Sequence, residues 1–303
     1  MKKYLKIARF DHWIKNTFIL PGALFSVVMT EVPINLITFI DVLFCFIGCV
    51  LVSSANYTIN EWLDRGFDEK HPIKKFRTSV ISKLNWKLVY SQYIFLAFTG
   101  LGILYFQNTL VFLLGLFLIA MGIVYNVEPF RLKDKAVIDV LTESINNPIR
   151  MAVGWYATES AFVVPASLVL SAYGFGIFLM TLKRFAELKI LKDAAVSYRV
   201  SFENWNEVKL LTVSLLGVLV GSIFLGIFMV LWRIELVVAI PFLILLIIRY
   251  FSLSITASEI AISPEKLYKT PSLIFLALLF SLVVLSLTAI DIQYLRELMV
   301  IRR

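Results

Sequence analysis

Histidine and cysteine are nearly absent. The 303 residues hold two of each: His12 and His71, Cys45 and Cys49. The two cysteines stand one helical turn apart in an apolar run, with no third thiol or imidazole beside them. They read as packing residues, which leaves neither a zinc ligand set nor a disulfide framework. Charge is scarce too: Lys, Arg, Asp and Glu supply 17% of the chain, against 59% hydrophobic residues and a mean hydropathy of +0.84. That balance excludes an ordinary soluble domain. Low-complexity tracts, interdomain linkers and the ten-residue alternating segments of a membrane β-barrel are also missing. The basic start MKKYLKIARFDHWIKN precedes FILPGALFSVV but no A-x-A-like cleavage site, so it reads as a retained first helix rather than a leader.

What is present is a series of apolar runs, each long enough to cross about 30 Å of hydrocarbon as a helix. The pattern predicts nine spans: 15–32, 37–59, 88–106, 109–127, 137–157, 161–182, 208–231, 235–254 and 271–290. The expectation is an all-α multi-pass membrane protein, with residues 1–303 forming one integral membrane domain. Nine spans put the N-terminus and the segments near 60–87, 128–136, 183–209 and 249–270 on one side, with 24 of the 29 Lys and Arg residues. The positive-inside rule makes that side cytoplasmic and the C-terminus opposite to it. Topology and an anionic substrate then account for the net charge of +8 without a nucleic-acid partner.

Carboxylates cluster where the second span ends, in NEWLDRGFDEKHP (60–72). Continued as a helix, Ser53, Tyr57, Asn60, Asp64 and Asp68 are spaced 4, 3, 4 and 4 and share one face, with Glu61 beside it. The fifth span repeats the pattern: Asp139, Glu143, Asn146 and Arg150 are spaced 4, 3 and 4, with Pro148 expected to kink the helix. Plain readings exist for each acid. Glu69 could be a solvated loop charge, Glu61 a partner of Arg65, and Asp64 and Asp68 the solvated end of a helix. Asp139 and Glu143 could pair with Arg150 or a lysine, although Arg150 lies about 16 Å along the helix from Asp139. Intramembrane carboxylates nevertheless cost about 2.5–3.5 kcal/mol each, so two such stripes point to a cavity, a ligand or a metal. Oxygen-only ligands suit Mg²⁺, which is held by carboxylates together with phosphate oxygens. Bases stand close by: HPIKKFR (71–77) carries Lys74, Lys75 and Arg77, Lys133 and Lys135 precede the fifth span, and Lys183 and Arg184 end the sixth. Together they suggest a ligand bearing a diphosphate, whose departure such charges assist.

At these residues the chain resembles the UbiA family of intramembrane prenyltransferases. NEWLDRGFD is similar to that family's first acidic motif, N-D-x-x-D-x-x-x-D, with Glu61 at a position that is usually Asp. Tyr125, Lys133, Asp139 and Glu143, in YNVEPFRLKDKAVIDVLTE, resemble the second. A narrower likeness is carried by HPIKKFR, RFDHWIKN, LKRFAEL (182–188) and IRY (248–250), which resemble segments of polyprenyl-phosphate phosphoribosyltransferases, a branch of the family. The ordered match runs from about residue 9 to 270. The resemblance implies a nine-helix UbiA-type bundle with cytoplasmic polar cap loops in the inner cell membrane, and an Mg²⁺-dependent transferase serving the cell envelope. Its donor would be phosphoribosyl diphosphate, its acceptor a polyprenyl phosphate in the bilayer, and its released product diphosphate. On that basis Glu61, Asp64, Asp68 and Asp139 are the expected metal ligands. Asn60, Lys74, Lys75, Arg77, Tyr125, Lys133, Glu143, Arg150, Lys183 and Arg184 are the expected substrate contacts. Prenyl transfer to an aromatic acceptor would use the same acids, and a transporter would also keep inward charges. Oligomeric state stays open, homo-oligomers included.

Overall fold

The computed structural model describes residues 2–30, 32–158, 162–256 and 270–299. They are helical throughout, joined by short 3₁₀ turns and loops, and no strand occurs among them. The helices are α1 (Lys2–Ile7), α2 (Ile19–Thr30), α3 (Leu36–Leu63), α4 (Arg65–Asp68), α5 (Thr78–Ile81), α6 (Trp86–Gln107), α7 (Thr109–Asn126), α8 (Ile138–Ser144), α9 (Asn146–Tyr156), α10 (Ala166–Leu191), α11 (Ala195–Tyr198), α12 (Glu207–Trp232), α13 (Ile240–Ile255), α14 (Pro271–Thr288) and α15 (Gln293–Met299). Residues 257–269, most of the expected basic segment 249–270, lie outside the described residues, as do Arg302 and Arg303.

Among the described residues, eight helical stretches are long and apolar enough to cross a membrane: Lys2–Thr30, Leu36–Leu63, Trp86–Gln107, Thr109–Asn126, Ala166–Leu191, Glu207–Trp232, Ile234–Ile255 and Pro271–Thr288. Each matches one of the expected nine. The first reaches its length by continuing α1 through a 3₁₀ stretch, Phe10–Phe18, into α2. The remaining expected span, the fifth at 137–157, is divided into α8 and α9 at Ile145, and neither piece is long enough to cross alone. Pro148 supplies the reason. It has no N–H for the carbonyl of Ser144, and its ring crowds that carbonyl, so the first helix ends there. This is an integral membrane protein.

Local sequence sets the helix starts. The Asn35 side chain accepts from the Thr38 N–H, Asn85 from Lys87 and Asn108 from Val111, each satisfying a first-turn donor that would otherwise be orphaned. Large apolar side chains such as Phe39, Phe95 and Phe98 remain exposed on α3 and α6, as lipid-facing surfaces require.

The described residues fall into two compact units, Met1–Val164 with Leu191–Asn206, and Pro165–Ile190 with Glu207–Arg303. In the first, Ile19, Cys45, Cys49, Val52, Leu104, Val111, Leu118, Ile149, Val153 and Ala157 form the main buried cluster. Helices α2 and α9 meet backbone to backbone. A Cβ at Gly22 would lie 1.9 Å from the Met151 carbonyl oxygen, and one at Gly154 would lie 1.9 Å from that of Ile19. Only glycine permits this approach, which fixes the inner end of the divided span. In the second unit, Phe178, Leu182, Tyr250 and Leu273 form a buried cluster.

Candidate functional site

The end of α3 and the short α4 carry Asn60, Glu61, Asp64 and Asp68, all in the first unit. At about 1.5 Å per residue, the 28-residue α3 is roughly 42 Å long, more than the hydrocarbon needs. Its last turns therefore stand beyond the apolar layer, which allows charge to collect there.

Asp64 is the hub. Its Oδ1 accepts from Lys133 Nζ at 2.5 Å and Arg131 Nη2 at 3.1 Å, and its Oδ2 from Asn60 Nδ2 at 3.1 Å. Asn60 also donates to Asn126 Oδ1 at 2.5 Å, and Lys133 reaches the same oxygen at 2.9 Å. Arg131 additionally holds Asp134 at 2.7 Å and donates to the Asn126 carbonyl at 3.2 Å. The second centre is Asp68, which is fully buried and takes Arg77 Nη1 on Oδ2 at 2.5 Å. The preceding HPIKKFR turn is ordered from within: His71 Nδ1 accepts from the backbone N–H groups of Ile73 and Lys74 at 3.1 and 3.2 Å. Lys74 bonds the Tyr198 hydroxyl and lies over its ring. A pocket opens among Asp64, Phe67, Arg131, Lys133, Asp134, Tyr198 and Arg199.

Burial would raise the Asp64 carboxyl, but Lys133, with Arg199 and Arg131, outweighs it and holds the group below the usual carboxylate range. Lys133 is pushed down to about 8, by burial first and by Arg131 and Arg199 besides, against the pull of Asp64. Burial lifts Asp68 above its ordinary value despite Arg77 and Lys74. Backbone strain gathers here as well. Arg131 (φ 32°) and Val137 (φ 69°) occupy the left-handed half of the map, which non-glycine residues enter at a cost of order 1–3 kcal/mol. Val137 immediately precedes α8 and so sets the aim of Asp139.

The remaining expected site residues divide. Asp139 is buried, 4.0 Å from Arg199 and 3.4 Å from Trp205 Nε1. The Tyr125 hydroxyl accepts from Arg199 at 3.4 Å. Glu61 is buried and already partnered. Its Oε2 takes Arg9 at 2.7 Å and its Oε1 the backbone N–H of Ser79 at 3.3 Å, so it ties the N-terminal stretch to α5. Arg65, its partner in the plain reading, lies over the Trp62 ring. Glu143 is half-buried beside the Asn146 amide, 3.5 Å from it. Lys75 is exposed and stands over Phe76. Arg150 is buried with Asn16 and Ser53. Lys183 and Arg184 belong to the second unit, where Arg184 pairs with Glu187 at 2.7 Å.

Sequence reasoning missed Asn126, Arg131, Tyr198 and Arg199. Arg131 and Asn126 lie within the YNVEPFRLKDK segment already singled out, so proximity to Tyr125 and Lys133 was a usable signal. Tyr198 ends the four-residue α11 and Arg199 follows it, a stretch too short for periodicity, and nothing in the sequence marks them.

No three carboxylate, histidine or cysteine side chains converge as a metal cage among the described residues. The donor set still fits Mg²⁺, which is commonly held by one or two carboxylates plus substrate phosphate oxygens. Asp64 supplies one such carboxylate. Asp68 supplies another, and its buried Oδ1 has no hydrogen-bond partner.

The sequence profile of the UbiA prenyltransferase family matches residues 19–279. No curated protein matches the chain by sequence. Among solved structures, a UbiA homolog from Archaeoglobus fulgidus bound to GPP and Mg²⁺ is similar, with a TM-score of 0.71 and 18% identity over 95% of this chain and 100% of the other. The same homolog bound to DMAPP and Mg²⁺ gives 0.65 and 20%, with the same coverage. A digeranylgeranylglyceryl phosphate synthase gives 0.57 and 15%, over 95% of this chain and 96% of the other.

Proposed function

The chain belongs to the UbiA prenyltransferase family, and within it we propose that it transfers 5-phosphoribose from phosphoribosyl diphosphate to a polyprenyl phosphate. The bond from ribose C1 to the diphosphate oxygen breaks, and diphosphate leaves with the electron pair. A lipid phosphate oxygen forms the new bond to C1. The acceptor is already an anion, so no general base is needed, and positioning and charge neutralisation carry the rate. Mg²⁺, when bound, would neutralise the leaving diphosphate. Asp64 and Asp68 would hold it, while Asn60 and Asn126 keep Asp64 in place. Lys133, Arg131, Arg77 and Lys74 neutralise donor phosphates, and Asp139 with Arg199 orients the sugar. Glu61 keeps the surrounding frame together. The site faces the cytoplasm at the inner membrane.

One observation carries the choice of donor: five cations, Lys74, Arg77, Arg131, Lys133 and Arg199, line the acids of a single site. A donor with a 5-phosphate beside its diphosphate uses more positive charge than a prenyl diphosphate does. Prenyl transfer to an aromatic acceptor is the second reading, favoured by the fold shared with a homolog that binds GPP and DMAPP. The test is incubation of the membrane-embedded protein with Mg²⁺, labelled phosphoribosyl diphosphate and a polyprenyl phosphate. Label extracted into organic solvent is the expected result. No such product, together with prenylation of an aromatic acid, would establish the second reading instead.

A further inference from the structure

Glu61, Asp64, Asp68 and Asp139 each have a cation beside them, but among the described residues the buried Arg150 of the same unit has no acid partner. Arg150 is 7% exposed, and its partners are neutral oxygens: Nε donates to Asn16 Oδ1 at 2.9 Å and Nη2 to Ser53 Oγ at 3.3 Å. A guanidinium carries five N–H donors and no acceptor, so these two bonds leave donors unused. Beside it stands a second unused donor. Asn16 is 1% exposed, and its Nδ2 is buried with no hydrogen-bond partner. Its amide cannot simply be turned over, because Oδ1 already accepts from both Arg150 and Ser53, the latter at 3.2 Å. Three polar groups from three elements thus leave a net positive charge and spare donors, with no carboxylate to compensate them. An isolated buried charge is costly, and it is ordinarily paired.

The level of this cluster in the bilayer identifies the missing anion. Counting from Leu36, about 20 residues of α3 cross roughly 30 Å of hydrocarbon, which brings Ser53 close to headgroup depth. Asp64 is eleven residues further on, roughly 16 Å toward the aqueous side. That interval accommodates a diphosphate and the group being transferred. We propose that Arg150, Asn16 and Ser53 form a binding site for an oxyanion of the phosphate class, the headgroup of the acceptor, held at membrane level beneath the donor site. The assignment rests on the transferase function proposed above and extends it: acceptor and donor phosphates occupy opposite ends of the α3 stripe, so Lys133 and Arg150 serve different phosphates.

The test is thermal unfolding of the detergent-solubilised full chain, alone and with a short polyprenyl phosphate, inorganic phosphate or benzoate. Mg²⁺ with phosphoribosyl diphosphate, or with a prenyl diphosphate, is run in parallel as a donor control. Wild type, Arg150→Met and Asn16→Asp are compared. Polyprenyl phosphate should raise the midpoint of wild type and of neither variant. Asn16→Asp places a carboxylate against Arg150, so it should raise the ligand-free midpoint while abolishing that response. In turnover assays, Arg150→Lys should raise acceptor KM by at least about 10-fold and leave donor KM unchanged. Protection by inorganic phosphate at equal strength would make the ligand a free anion. Protection by benzoate alone would replace phosphate by carboxylate and overturn the stated class. Equal protection of wild type and Asn16→Asp by polyprenyl phosphate, or protection by no anion while a donor still protects, would overturn the site and leave the transferase function standing. If neither donor protects any form, the transferase function itself fails.

Discussion

The two ends of the polar stripe on α3 handle charge in opposite ways. At the acid-bearing end, Asp64 and Asp68 are each held by cations at 2.5 Å. Near Ser53, Arg150 is buried against neutral groups alone. On the proposed reading, a ligand arriving at the first end exchanges with contacts already made, as diphosphate oxygens take over Lys133, Arg131 and Arg77. A ligand arriving at the second completes contacts that are lacking. One end is therefore poised for exchange and the other for capture, which suits the proposed donor, leaving as diphosphate, and the proposed acceptor, waiting in the membrane.

The comparison can be broken most directly at Asp64. Asp64→Asn should lower turnover by about 10²–10³-fold or more at saturating Mg²⁺, because the neutral amide removes the charge on which Lys133 and Arg131 converge. Full activity in steady-state assays would remove Asp64 from the metal site. Next comes a stability contrast. Asp68→Asn leaves Arg77 without its carboxylate, and breaking a buried pair costs about 3–5 kcal/mol. Arg150→Met strands no acid and should lower the ligand-free thermal midpoint far less. Equal losses would erase the distinction between the two ends.

Protonation offers a third test. Lys133 is held at about 8, below its ordinary value near 10.4. As pH rises through 8 the folded protein loses this charge, so kcat/KM for the donor should decline on the alkaline side with an apparent pKa of about 8. Lys133→Arg should abolish that limb. Stability moves the other way. Between about pH 8 and 10.4 the unfolded chain binds the proton more tightly than the folded one, so this group's contribution becomes more favourable as pH rises. Asp64 follows the same sign in a lower pH window: its pKa is depressed, so its contribution is present above the ordinary carboxylate value and is lost as pH falls through the depressed one. The smallest effect is expected at Glu61. Glu61→Gln weakens its charge-assisted bond from Arg9, about 1.5–3 kcal/mol at most. It should lower the thermal midpoint without changing the Mg²⁺ concentration that gives half-maximal turnover.

Much of the frame was legible in advance because hydrocarbon thickness imposes a length on every apolar run. Eight of the nine expected spans appear as long helices, and the fifth departs where Pro148 removes one hydrogen bond. The spacing of Ser53, Tyr57 and Asn60 follows the 3.6-residue period of α3, whereas α3 ends at Leu63 and Asp68 stands on the separate α4. Partners were harder. Arg65, four residues away, offers Glu61 a plain local partner beside its expected metal role, but Arg9 reaches it across 52 residues. Arg199 approaches Asp139 from a loop 60 residues downstream, and local periodicity carries no information about such distant contacts.

The amino-acid order by itself determined an all-helical membrane protein, the position of its long spans and the acids gathered where α3 ends, because burial, span length and helical period are local properties. The tertiary structure alone decided which charges meet. It closed Asp64 onto Lys133 and Arg131, drew Glu61 to Arg9, and left Arg150 among neutral oxygens. The physical reason is that electrostatic pairing depends on distance in space, and helices far apart in sequence supply those distances only after they pack.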